Sequence, residues 1–94
     1  MRVKWLRPAL ADLRAEFEYI AQDNPAAASR TAVRIRGAVT LLETHPEIGR
    51  PGRVIGTREL AIPGTPYIVP YRVRAGMVEV LRVFHAARNW PREL

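Results

Sequence analysis

The hydrophobic period of this 94-residue chain changes once, near its middle, and that change limits the folds open to it. Leu10, Leu13, Phe17 and Ile20 recur at three- and four-residue spacing, as do Ala28, Ala32, Ile35, Val39 and Leu42. Each set makes one apolar stripe along a helix. Pro8 is tolerated in a first helical turn, and Asp12 and Glu16 suit the positive end of a helix dipole. Asp23-Asn24-Pro25 ends the first helix and starts the second, with Asn24 placed to cap it. Glu18, Arg30 and Arg34 fall off the stripes, where water can reach them. So short a break between amphipathic helices predicts an antiparallel helical hairpin.

Past His45 the helical period disappears. Residues 45–52, rich in proline and glycine, read as a loop. Short apolar or β-branched runs predict strands over Val3–Leu6, Thr57–Ile62, Tyr67–Arg74 and Met77–His85. Ala75-Gly76 predicts a tight turn between the last two. Pro70 lacks a ladder donor and therefore requires an edge or a bulge. Val78, Val80, Leu81, Val83 and Phe84 are apolar on both sides of the last strand, which suggests a central position. The expected class is α+β in the order β-α-α-β-β-β. A helical hairpin packs on one face of a small twisted, mainly antiparallel sheet, and residues 1–94 form one domain.

Charge narrows the partners. Lys4 is the only lysine beside fourteen arginines, whose flat guanidinium forks suit phosphate, carboxylate and stacking contacts. Residues 1–47 carry a net charge of +1 and residues 48–94 a net +5. Arginine use can reflect genome composition, but that does not account for the asymmetry. An acidic protein or a nucleic acid is the partner class implied. With no cysteine and only His45 and His85, neither a disulfide framework nor a metal site is expected, and no cofactor is called for. No apolar run approaches the ~20 residues of a membrane span. The cytoplasm is the simplest placement.

The order of motifs resembles the ParE/RelE superfamily of type II toxin–antitoxin toxins, and most closely its ParE branch, the plasmid stabilisation proteins. Trp5, Ala9, Asp12 and Leu13 match the opening, and Tyr19-Ile20-Ala21 with Asn24-Pro25 match the helical break. Gly49-Arg50-Pro51-Gly52, Arg58-Glu59-Leu60, Tyr71-Arg72-Val73 and His85-Ala86-Ala87-Arg88-Asn89-Trp90-Pro91 match the remainder. The resemblance implies a ParD-like acidic, dimeric antitoxin and a complex holding two or more toxins. It implies DNA gyrase as target for the ParE branch. For the RelE branch it implies ribosome-dependent mRNA cleavage.

RNA cleavage needs a base for the 2′-hydroxyl, cations for the phosphate and an acid for the leaving oxygen. Glu59 and His85 could serve as base and acid, with Arg72, Arg82 and Arg58 as cations. A lone histidine ending an apolar strand is more often structural. In the RNase branch an arginine stands ahead of the third strand's apolar stretch, where this chain holds Tyr67. A non-enzymatic, gyrase-binding toxin is therefore the expectation, with Arg50, Arg53, Arg58, Arg82, Arg88 and Trp90 as target contacts. Arg50 and Arg53 flank Gly52 in a loop that would leave their guanidinium groups free. Trp90 could instead pack the C-terminus down. Leu13 and Phe17 head a stripe expected in the core, whose exposed shoulder at Ala21 and Ala28 would receive antitoxin.

Overall fold

The computed structural model describes residues 1–87 together with Trp90 and Leu94. Strand β1 (Arg2–Trp5) leads into helices α1 (Arg7–Asp23) and α2 (Pro25–Thr40), the latter closed by a 3₁₀ turn at Leu41–Glu43. Strands β2 (Arg50–Pro51), β3 (Arg58–Ala61), β4 (Tyr67–Arg74), β5 (Met77–Val80) and β6 (Phe84–His85) follow. No helix among the described residues is long and apolar enough to cross a membrane.

Asn24 makes the hairpin. Its backbone N–H closes α1 by donating to the Ile20 carbonyl at 2.9 Å. Its side chain opens α2 by accepting from the Ala27 N–H at 3.0 Å. With Pro25 at the start of α2, one residue both ends and begins a helix. The two helices pack against each other. α1 turns a different face inward from the one its stripe predicts. Ala9, Leu13 and Glu16 are buried and Ile20 packs on the core, whereas Leu10 is 46% exposed and Phe17 38%. Asp12 and Glu16 lie beyond the first turn, which holds no acid. Both serve tertiary contacts rather than the dipole.

The sheet is mixed, in the order β1-β5-β4-β3-β2. β1 runs parallel to β5, and the remaining pairs are antiparallel. Val3, Trp5, Val69, Tyr71, Val78 and Val80 belong to the core with Leu13, Ile35, Val39 and Leu42 of the helical segment. Ala75 and Gly76 both adopt positive φ (53° and 72°), the pair of left-handed conformations a tight β4–β5 hairpin requires.

Two boundaries differ from the sequence expectation. Residues 50–51, expected in a loop, form β2, an edge strand too short to show any period. The expected strand over 77–85 is split by a bulge. Tyr71 faces Val80 and Ile68 faces Phe84, so three residues, Leu81 to Val83, stand opposite two. Pro70 is fully buried in the central strand β4, and its carbonyl accepts from Leu81 at 2.9 Å. In an antiparallel ladder a residue's nitrogen and carbonyl face the same neighbour. The missing proline donor therefore meets the bulge, where the ladder is already interrupted.

Candidate interaction surfaces

Glu59 is buried beside the loop expected to hold free cations. Arg50 donates to its Oε1 through Nη2 at 3.1 Å and Nε at 3.3 Å. The Arg53 backbone N–H reaches Oε2 at 2.9 Å, with the Arg53 guanidinium at 3.9 Å. Both arginines are therefore anchored rather than free, which corrects the expectation; a buried carboxylate needs such compensation. Their side chains still remain 60% and 55% exposed. Arg58 turns inward and donates to the carbonyls of Glu47 and Gly49 at 3.1 and 2.8 Å. The same loop is held by Tyr71, whose hydroxyl accepts from the Gly49 N–H and donates to the Pro46 carbonyl. Burial pushes the Tyr71 hydroxyl's pKa above its ordinary value. A side chain at Gly49 would meet that ring at 2.6 Å, so glycine is required there.

From Arg53 the contacts continue. Its guanidinium lies 3.7 Å from the Trp90 ring centre. Trp90 is tilted on Phe84 at 4.8 Å, and Arg82 lies 4.8 Å from the Phe84 ring centre. Arg82 ends in a two-pronged pair with Asp12 at 2.7 and 3.0 Å, and Asp12 also takes the Val83 N–H at 3.0 Å. The Asp12 hydrogen bond raises the Arg82 pKa further above its already high value. Glu59, Arg53, Trp90, Phe84, Arg82 and Asp12 thus form one ladder, two stacked rings held between two carboxylate–guanidinium pairs. Trp90 itself packs on Phe84 and Arg53, and its buried Nε1 has no hydrogen-bond partner among the described residues. Arg88 lies outside the described residues.

The residues weighed for RNA cleavage do not converge. Glu59 pairs across the sheet with Pro70, and His85 with Tyr67. Pro70 and Tyr67 are three residues apart on one strand, so Glu59 and His85 belong to opposite faces. His85 packs edge-on against Tyr67 at 5.6 Å, and its Nδ1 accepts the Ala87 N–H. Tyr67 donates to buried Glu16 at 3.3 Å. Arg72 is engaged with Glu79 at 2.7 Å, and Arg82 with Asp12.

A second surface lies on the helical hairpin. Leu10, Leu13, Phe17 and Ala32 line an open groove of about 930 Å³, with Arg14, Glu18 and Arg36 also along it. The expected shoulder at Ala21 and Ala28 is displaced from this groove. Ala28 is buried at 1% exposure between the two helices, Ala21 is half-buried, and neither lines the groove. Because α1 is rotated toward Ala9 and Glu16, Leu10 and Phe17 emerge instead, and Leu13 forms the floor. Nothing in the sequence marks Asp12, Leu10, Arg14 or Arg36 as a site residue, because each is defined by a contact or groove between elements. Only the half-exposed edge of the α1 stripe could have signalled the groove.

The family model for the ParE toxin of the type II toxin–antitoxin system parDE matches residues 3–90. The chain belongs to the ParE toxin family. It is 45% identical over 93 residues to Y4kP of Sinorhizobium fredii, covering 99% of this chain and 96% of that protein. It is 40% identical over 87 residues to Toxin RelE2 of Caulobacter vibrioides, covering 93% and 97%. Among solved structures it matches the chromosomal ParDE TA system from P. aeruginosa with a TM-score of 0.82 and 32% identity, over 90% of this chain and 95% of that one. The chain is thus a toxin of the ParDE/RelE type. The ParE model and the ParDE neighbour favour the ParE side.

Proposed function

We propose that this ParE-family toxin acts by binding DNA gyrase, without breaking a covalent bond. The observation that carries the reading is the dispersal of the acid–base candidates. Glu59 compensates two guanidinium groups, His85 lies on the other face, and Arg72 and Arg82 are each paired with a carboxylate. General acid–base catalysis needs such groups converging on one phosphate. Contact with the target falls to Arg50, Arg53 and Trp90, whose stacked cation and ring form a pre-ordered platform. Arg82 and Arg58 position that platform from behind, and Arg88 adds a cation close by in sequence.

A supercoiling assay with purified gyrase tests the reading. Excess toxin should stop supercoiling, and unimpeded supercoiling would refute gyrase as the target. The runner-up is ribosome-dependent mRNA cleavage, favoured by the likeness to Toxin RelE2. It predicts codon-linked cuts in a translating extract, lost in His85→Ala.

The groove along Leu10, Leu13, Phe17 and Ala32 is the seat proposed for a ParD-like antitoxin. An amphipathic segment that orders on binding would bury its apolar side there, with acidic residues facing Arg14 and Arg36. A dimeric antitoxin would carry two or more toxins in the cytoplasm. Co-purification with the product of the adjacent gene, lost in Phe17→Glu, is the expected result.

A further inference from the structure

The sheet face turned away from the helices carries a second accumulation of charge, separate from the Arg50–Trp90 platform. Register places Arg2, Met77 and Arg74 in one row across β1, β5 and β4, and Lys4, Glu79 and Arg72 in the next. These positions alternate with Val3, Val78 and Val80, which pack into the core, so the six side chains share the opposite face. Arg2, Lys4 and Arg74 are exposed and Arg72 is half-exposed. Strand spacing sets the four cations at the corners of a rectangle of roughly 7 by 10 Å. Glu79 is the single carboxylate in the two rows. Its hydrogen bond from Arg72, aided by the fields of Arg72, Arg74 and Lys4, holds its carboxyl below the usual carboxylate range. The cations therefore act on one locus, and one of them is partly neutralised.

We infer that this face binds the phosphate backbone of double-stranded DNA, through Arg2, Lys4, Arg72 and Arg74 and without reading sequence. A single strand calls for aromatic platforms on which bases stack. Neither row holds an aromatic side chain, because Trp5 and Tyr71 lie on the core side. An acidic polypeptide that folds on binding needs apolar surface to bury. Here only Met77 offers any, and the apolar groove is on the helical face. A duplex backbone needs cations alone. The inference does not rest on the gyrase reading, since it concerns bare DNA.

Fluorescence anisotropy of a labelled 20-base-pair duplex with the purified full chain tests it. Binding should weaken with salt along a log–log slope of about −3 to −4, as for roughly four phosphates neutralised. Lys4→Ala/Arg74→Ala should lower affinity at low salt by about tenfold and flatten the slope by about two. Arg30→Ala/Arg34→Ala, on α2 and outside the groove, removes the same charge and should change binding by less than about twofold. Thermal melts confirm that both variants fold. Equal losses in the two double variants would mean bulk charge and no site. Tighter binding of a single strand of the same length would overturn the duplex assignment. Loss of binding only toward the acidic product of the neighbouring gene, with no duplex binding by the parent chain, would give the face to a polypeptide.

Discussion

The groove on the helical hairpin holds apolar side chains that stand in water, whereas the ladder from Glu59 to Asp12 holds charges whose partners are already within the chain. Leu10 and Phe17 have nothing to lose by being covered, and their burial by another protein is favourable at about 25 cal/mol per Å². Arg53 and Arg82 must keep or exchange the contacts they have with Glu59, Trp90, Phe84 and Asp12. The first surface suits a partner that folds onto it. The second suits a target that recognises a shape already set.

That contrast can be broken most forcefully at the groove. Leu10→Glu/Phe17→Glu should weaken antitoxin binding by about 100-fold or more, as removal of central apolar anchors commonly does, measured by calorimetric titration. Its unfolding free energy should move by less than about 1.5 kcal/mol, because Leu10 and Phe17 are each only partly covered within the chain. A large stability loss would mean that the groove is core rather than surface.

The ladder should respond in the opposite sense. Asp12→Ala removes a two-pronged pair and the acceptor of the Val83 N–H, and should cost about 2–3 kcal/mol in urea unfolding. Antitoxin affinity should change little. Glu59→Gln leaves Arg50 and Arg53 without their carboxylate and should cost about 1–2 kcal/mol. Faster proteolysis within residues 50–56 would accompany it, since Glu59 pins that loop from inside the sheet. If proteolysis is unchanged, the hydrogen bonds joining Gly52 and Val54 to Thr57 are enough to hold the loop.

The smallest effect concerns acid. Glu79 has its pKa lowered in the folded chain, first through the Arg72 hydrogen bond. A depressed carboxyl contributes stability above its unfolded pKa and loses it as pH falls through the folded value. Glu79→Gln should therefore flatten the acid limb of a stability–pH curve below about pH 4.5, where an unperturbed glutamate titrates. A stability–pH curve unchanged by the substitution would show that the pair is fully screened by water.

Local signals in the chain were readable where the cause was local. Asn24-Pro25 named the helical break, and Tyr67–Arg74 was bounded correctly by its flanking turns. The demand of Pro70 for an edge or a bulge was met by the bulge at Leu81 to Val83. What could not be read was which charges meet. Asp12 suits a helix dipole by its place in sequence, yet it reaches Arg82, 70 positions away, and accepts the Val83 N–H of the bulge. The α1 stripe also misled, because an apolar residue at helical spacing faces the core only if the neighbouring layer extends that far. Phe17 lies past that limit and Glu16 within it, joined to Tyr67.

The residue order alone determined both helices and most strands, the hairpin, the family and the surplus of cations, since each follows from neighbours in sequence or from matching along it. Tertiary structure alone decided which cations are tied and which stand open. A guanidinium's state depends on the carboxylates that folding carries to within a few ångströms, and no spacing along the chain encodes that distance.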